Sequence, residues 1–205
     1  MALKCLVKVS EVNNLSDARY CAGMGVEMIG FCLDENHPKF IELARLREIA
    51  VWVSGVKVVG EVAGDDVENI NYLAEQLKLD YIQLSHSISP DHITRIKKPV
   101  ILKLDFDPEN IDKMAIELQT MQQYVEFFIL ESRNFDTVKS FEKLLQSWCA
   151  RYKIILGFGI LREDLEEILN VIKPYGMELK GGHEIKPGLK NFDELSEILE
   201  ALEIE

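Results

Sequence analysis

Val7-Lys8-Val9-Ser10-Glu11-Val12-Asn13-Asn14-Leu15-Ser16-Asp17-Ala18 carries the chain from its first strand pattern into its first helix pattern, and it contains no glycine. An open, doubly wound sheet usually has a glycine-rich phosphate loop at that crossing. Here the glycines gather instead after the seventh and eighth strand patterns, as Gly157-Phe158-Gly159 and Gly181-Gly182. That is where (β/α)8 barrels commonly hold phosphate. The placement favours the barrel over the open sheet.

The rest of the chain repeats the same alternation. Short runs rich in β-branched residues predict strands at 4–10, 27–32, 56–62, 80–84, 99–105, 125–131, 153–157 and 176–180. Helix patterns fall between them, at 15–24, 42–53, 66–78, 90–97, 108–122, 135–150, 161–172 and 191–203. Several helix starts carry capping residues: Asn14 with Asp17 three positions on, Ser89-Pro90, Asp107-Pro108, and Asn191 with Glu194. Gly25 and Gly176 sit where a helix is expected to end. No linker or composition break divides the chain, so residues 1–205 read as one (β/α)8 domain.

With 205 residues the chain is short for a barrel of roughly 250, so its loops must be short. A net charge of -12 argues against nucleic acid or an anionic membrane as partner. A small phosphorylated ligand is still compatible, because a local cluster of amides and lysines can oppose the global charge. Cys5, Cys21, Cys32 and Cys149 fit no CxxC or zinc spacing, and His37, His86, His92 and His183 have no ligand spacing. We expect no metal, no cofactor and single thiols in a reducing cytoplasm. Lys8 interrupts the opening apolar run, so no signal peptide is expected.

In order and spacing the residues resemble the phosphoribosylanthranilate isomerase family. Val7-Lys8-Val9-Ser10-Glu11-Val12-Asn13 lies on that family's Val-Lys-Ile-Cys-Gly-Ile-Thr, and Asn14-Leu15-Ser16-Asp17-Ala18 on its Asn-Leu-Glu-Asp-Ala. Gly30-Phe31, Pro38-Lys39-Phe40, Val59-Gly60 and Gln83-Leu84 continue the likeness. Phe135-Asp136-Thr137-Val138-Lys139-Ser140-Phe141 keeps the threonine, lysine and phenylalanine of Gly-Gly-Thr-Gly-Lys-Thr-Phe and none of its glycines. Gly157-Phe158-Gly159-Ile160 replaces Ala-Gly-Gly-Leu. Gly182-His183-Glu184-Ile185-Lys186-Pro187-Gly188-Leu189-Lys190 follows Ser-Gly-Val-Glu-x-x-Pro-Gly-x-Lys.

The resemblance implies an Amadori rearrangement of an aminoaldose phosphate to an aminoketose phosphate, a step of tryptophan biosynthesis. It places the general base at Ser10, where the family has cysteine, and the general acid at Glu131, where the family has aspartate. It links Lys39 to a substrate carboxylate, and it puts Gln83, Gly157, Gly159, Gly181 and Gly182 around the substrate and its phosphate. A thiol is readily tuned toward the working pH, whereas a serine hydroxyl needs a neighbouring base. An unassisted Ser10 therefore implies very low activity, and Ser10→Cys should raise turnover at least about 100-fold.

Two other readings compete. One is a catalytically silent barrel that binds a phosphosugar or serves as an interaction module. The other is a Schiff-base lyase using Lys8 or Lys103. Lys8, Glu61, Lys103, Asp105, Glu131, Glu178 and Lys180 fall in or at the ends of strand patterns. A barrel interior does not tolerate unpaired charge, so some of these must pair or reach the mouth. Cys5 is excluded as a substitute base, lying roughly 16 Å from Ser10 and on the opposite strand face. Oligomeric state is not legible.

Overall fold

Eight parallel strands close in sequence order into a barrel in the computed structural model, which describes residues 2–132, 139–180, 184–186, 189–190 and 192–204. The strands are β1 (Leu6–Ser10), β2 (Met28–Cys32), β3 (Lys57–Val62), β4 (Tyr81–Leu84), β5 (Val100–Asp105), β6 (Phe127–Glu131), β7 (Ile154–Gly157) and β8 (Gly176–Lys180). Pairing of β8 with β1 completes the ring, with Leu6 opposite Gly176 and Ser10 opposite Lys180. The helices are α1 (Leu15–Gly23), α2 (Leu43–Trp52), α3 (Val67–Gln76), α4 (Pro90–Thr94), α5 (Ile111–Met121), α6 (Glu142–Cys149), α7 (Leu165–Glu167) and α8 (Asp193–Leu202). A short antiparallel ribbon, β9 (Glu184–Lys186) with β10 (Leu189–Lys190), follows β8. No described helix is long and apolar enough to cross a membrane.

All eight strand patterns form strands, because each is a short β-branched run. The helices follow their caps less uniformly. Asn14 accepts the Asp17 N–H at 2.9 Å, and Ser89 accepts the His92 N–H at 3.3 Å. Gly25 takes the left-handed conformation (φ 78°) that ends α1. Asp107 does not cap α5: its carboxylate accepts the Glu109 N–H at 2.9 Å and the Asn110 side-chain amide at 2.6 Å. That closes an Asx turn, and α5 begins only at Ile111. The pattern at 161–172 is a composite: a 3-10 turn (Arg162–Asp164), α7 and a π turn (Ile168–Ile172).

Gly176 is also not a helix end. Lys173 takes the left-handed position there (φ 55°), and Gly176 opens β8. A Cβ on Gly176 would lie 2.5 Å from the Leu6 carbonyl oxygen, so glycine is required for β8 to approach β1. Asn191 lies outside the described residues, so the cap proposed there does too.

Alternation along the strands divides the core in two. Outward-facing Val7, Val9, Ile29 and Phe31 are fully buried under the helices. Inside the barrel, Met28, Val59, Ile101, Phe127, Ile129 and Ile155 pack together with Leu6 and Tyr81. This apolar plug fills the N-terminal half of the barrel, leaving the C-terminal half to charged residues.

Candidate active site

Lys8 and Ser10 share the inward face of β1, and the strands that meet them supply two carboxylates. Lys8 Nζ lies 2.7 Å from Glu61 Oε1 of β3 and 2.9 Å from Glu178 Oε1 of β8. Ser10 Oγ accepts a hydrogen bond from Lys8 Nζ and donates its own proton to Glu178 Oε1. Glycines make the room: a Cβ on Gly30 would fall 2.0 Å from Glu61 Oε1 and 2.9 Å from Lys8 Nζ. One on Gly157 would fall 2.7 Å from Glu178 Oε2.

Burial alone pulls the Lys8 pKa down, but Glu178 and Glu61 more than offset it, and the net direction is upward. Burial likewise pushes Glu178 up, and Lys8, Lys103 and the hydrogen bonds from Ser10 and Lys8 carry it below its ordinary value. Lys8 is therefore an ammonium and Glu178 a carboxylate. Glu178 Oε2 has no hydrogen-bond partner among the described residues, and neither has Gln83 Oε1. Both side chains are buried and face the barrel interior.

Closer to solvent a second cluster surrounds Glu131, the last residue of β6. Lys103 Nζ of β5 sits 2.5 Å from Glu131 Oε2, and Lys180 Nζ of β8 sits 2.7 Å from Glu131 Oε1. Lys180 is also 3.9 Å from Glu11 Oε1. Partial burial lowers the Lys180 pKa, and the hydrogen bond and charge of Glu131, with Glu11 behind them, raise it by more. Glu11 itself adopts a left-handed backbone (φ 59°), a conformation favoured by the glycine that the resembling family has there.

Because all strands run the same way, Ser10 and Glu131 lie at one rim of the barrel, as the sequence required. Gly159 follows β7 at that rim with a left-handed backbone (φ 60°). Lys39 lies partly buried on the loop after β2, its N–H donating to His37 Nδ1 at 3.2 Å. Gly181, Gly182 and Thr137 lie outside the described residues. Cys32 ends β2 and is buried; burial pushes its thiol up, so it is no ready thiolate. Among the described residues no group of three or more His, Cys, Asp or Glu could hold a metal ion.

From the sequence alone Ser10 reads as unassisted. In the fold Glu178 stands against it. The signal that could have found this pair was the position of Glu178, two residues before the end of a strand that must close against β1.

A closed parallel barrel with a polar, charge-paired C-terminal mouth has the layout of a (β/α)8 enzyme. The chain matches the family of N-(5'-phosphoribosyl)anthranilate (PRA) isomerase over residues 7–201, and it belongs to that family. The N-(5'-phosphoribosyl)anthranilate isomerase of Chloroherpeton thalassium is 27% identical over 201 residues, covering 93% of this chain and 91% of that protein. That of Aquifex aeolicus is 27% identical over 202 residues, covering 94% and 96%. Among solved structures, phosphoribosyl anthranilate isomerase from Thermotoga maritima superposes with a TM-score of 0.82 at 21% identity, covering 97% and 98%. A phosphoribosyl anthranilate isomerase in complex with reduced 1-(o-carboxyphenylamino)-1-deoxyribulose 5-phosphate superposes at 0.79, with 20% identity and the same coverage. These structural likenesses bear on the fold.

Proposed function

We propose that this protein catalyses the Amadori rearrangement of N-(5'-phosphoribosyl)anthranilate in tryptophan biosynthesis, in the cytoplasm. The observation that carries the proposal is the placement of Ser10 and Glu131 at the C-terminal ends of β1 and β6, on one rim of the barrel, in a chain matched to the isomerase family from residue 7 to residue 201.

Glu131 is the general acid. In its protonated form it gives a proton to the ribose ring oxygen as the C1–O bond breaks and the anilino nitrogen forms the C1=N bond. Lys103 and Lys180 are ion-paired with its two oxygens and stabilise the carboxylate left once the proton has gone, which water protonates again before the next turnover. Ser10 receives the proton from C2, whose bonding electrons form C1=C2, and the resulting enol settles as the ketone. Glutamate is one methylene longer than the aspartate of the resembling family, and an ångström of misplacement can cost on the order of 100-fold. The two lysines fix that longer side chain at the rim.

The ligand is a phosphorylated small molecule carrying a carboxylate, in keeping with the phosphorylated ligand bound by the related solved enzyme. Gly157, Gly159, Gly181 and Gly182 are the proposed phosphate end, where backbone N–H groups can approach closely. Lys39 faces the carboxylate end as a point charge, without the bidentate fork of an arginine. Gln83 presents the unpaired Oε1 to the interior and is the proposed partner of a substrate hydroxyl.

The lyase reading is disfavoured by Lys8, which is fully buried and kept charged by two carboxylates, whereas Schiff-base formation needs a neutral amine. Lys103 is tied into its 2.5 Å ion pair with Glu131. Rescue of a tryptophan auxotroph lacking this isomerase tests the proposal. Growth supports it. Failure of the well-expressed protein to rescue, together with retained binding of the phosphosugar, would favour the silent barrel.

A further inference from the structure

Ser10 has a single hydroxyl proton, and that proton is committed to Glu178 Oε1. Lys8 Nζ donates to the same oxygen of Ser10 and also lies 2.9 Å from Glu178 Oε1, so the three groups form one cluster. Ser10 Oγ thus has one lone pair left, and it stands at the mouth end of β1 with a carboxylate directly behind it. We propose that Ser10 and Glu178 form a two-residue proton relay for the C2 step, with Ser10 touching the substrate and Glu178 taking the proton through it. This rests on the isomerase reading above.

The step balances without any further reactant. The C2–H bond breaks and its electron pair becomes the C1=C2 bond, neutralising the iminium nitrogen. The C2 proton goes to Ser10 Oγ as the original Ser10 proton crosses to Glu178 Oε1, leaving Ser10 a neutral alcohol and Glu178 a neutral acid. The return transfer resets the pair when C1 of the enol takes the proton back, and the C2 hydroxyl gives its own proton to water as the ketone forms. A hydroxyl cannot hold the proton alone, but a concerted hand-over never asks it to.

Three features suit Glu178 to this part. Its side chain is 1% exposed, so it is shielded from bulk solvent and reached through Ser10. Its Oε2 has no partner among the described residues, which disfavours the anion and offsets part of what Lys8 contributes. Lys8 stays anchored to Glu61 at 2.7 Å when Glu178 becomes neutral, so the ammonium is not stranded. Glu178 acts through Ser10 and is a positioning and proton-accepting residue. Gly157 holds open the space for it.

Steady-state turnover of N-(5'-phosphoribosyl)anthranilate is measured for the wild type, Ser10→Ala, Glu178→Gln, Ser10→Cys and the Ser10→Cys/Glu178→Gln double variant, with circular dichroism as the folding check. The relay predicts that Ser10→Ala and Glu178→Gln each lower kcat at least about 100-fold with KM little changed. A thiol can ionise and take the proton itself, so Glu178→Gln should cost less than about 10-fold in the Ser10→Cys background. A residue that merely supports the fold would cost the same in both backgrounds, and that result overturns the relay, as does unchanged kcat in Ser10→Ala. Should Glu178→Gln fail to fold, Ser10→Ala carries the test: a loss below about 10-fold overturns the relay. No turnover by the wild type and by Ser10→Cys removes the isomerase reading itself. Wild-type turnover with equal losses removes only the relay.

Discussion

Lys8 Nζ and Glu178 Oε1 lie 2.9 Å apart in the middle of the barrel, with 0% and 1% of their side chains exposed. The pair can persist there only because each charge is the other's solvent. Removing one member therefore differs from removing both. Lys8→Met leaves two inward carboxylates without their cation and should destabilise by about 3–5 kcal/mol. Lys8→Met combined with Glu178→Leu leaves only Glu61, which is 11% exposed at its side chain and can reach toward water. The double variant should be more stable than Lys8→Met alone in urea unfolding. A double variant less stable than the single one would contradict this account of the pair.

The same pair sets a pH window. Glu178 is pulled below its ordinary value of 4.5, so its contribution is complete above that pH and is lost as pH falls through the lower, folded-state value. Lys8 is raised above 10.5, so its contribution is complete below that pH and is lost as pH rises through the folded-state value. Urea midpoints of the wild type should therefore fall on the acid side of 4.5 and the alkaline side of 10.5. The Lys8→Met/Glu178→Leu variant should fall less on both sides. Parallel profiles for the two proteins would show that the pair does not carry this dependence.

Glu11 stores strain at the mouth. A non-glycine residue in the left-handed region costs about 1–3 kcal/mol, and Glu11 sits there with φ 59°. Its 3.9 Å contact with Lys180 returns little, since the lysine side chain is 56% exposed. Glu11→Gly should raise the melting temperature, by the equivalent of up to about 1 kcal/mol after the added flexibility of the unfolded chain is subtracted. A lower melting temperature in Glu11→Gly would mean that the Glu11 carboxylate holds the rim together.

The strands were legible because each is a short β-branched run, and alternation alone put Lys8 on the face of Ser10. The family was legible from motif order along the whole chain. What could not be read were the partners. Glu61 is 53 residues from Lys8 and Glu178 is 170 residues from it, and only closure of the ring brings them together. The roles of Gly30 and Gly157 as space for those carboxylates follow from the same closure. Gly176 was misread for a related reason: a glycine after a helix pattern looks like a C-terminal cap, and its contact with the Leu6 carbonyl exists only across the β8–β1 seam. At Asp107 the side chain had two local uses, and the Asx turn prevailed over the helix cap.

The most direct test of the central claim is the conversion of N-(5'-phosphoribosyl)anthranilate by the purified protein, followed as loss of substrate, with Glu131→Gln as the paired variant. The account predicts measurable turnover by the wild type and a kcat at least about 100-fold lower in Glu131→Gln, which keeps the shape of the side chain and cannot deliver a proton. Substrate binding without conversion by the wild type, or equal turnover by the two proteins, would contradict it.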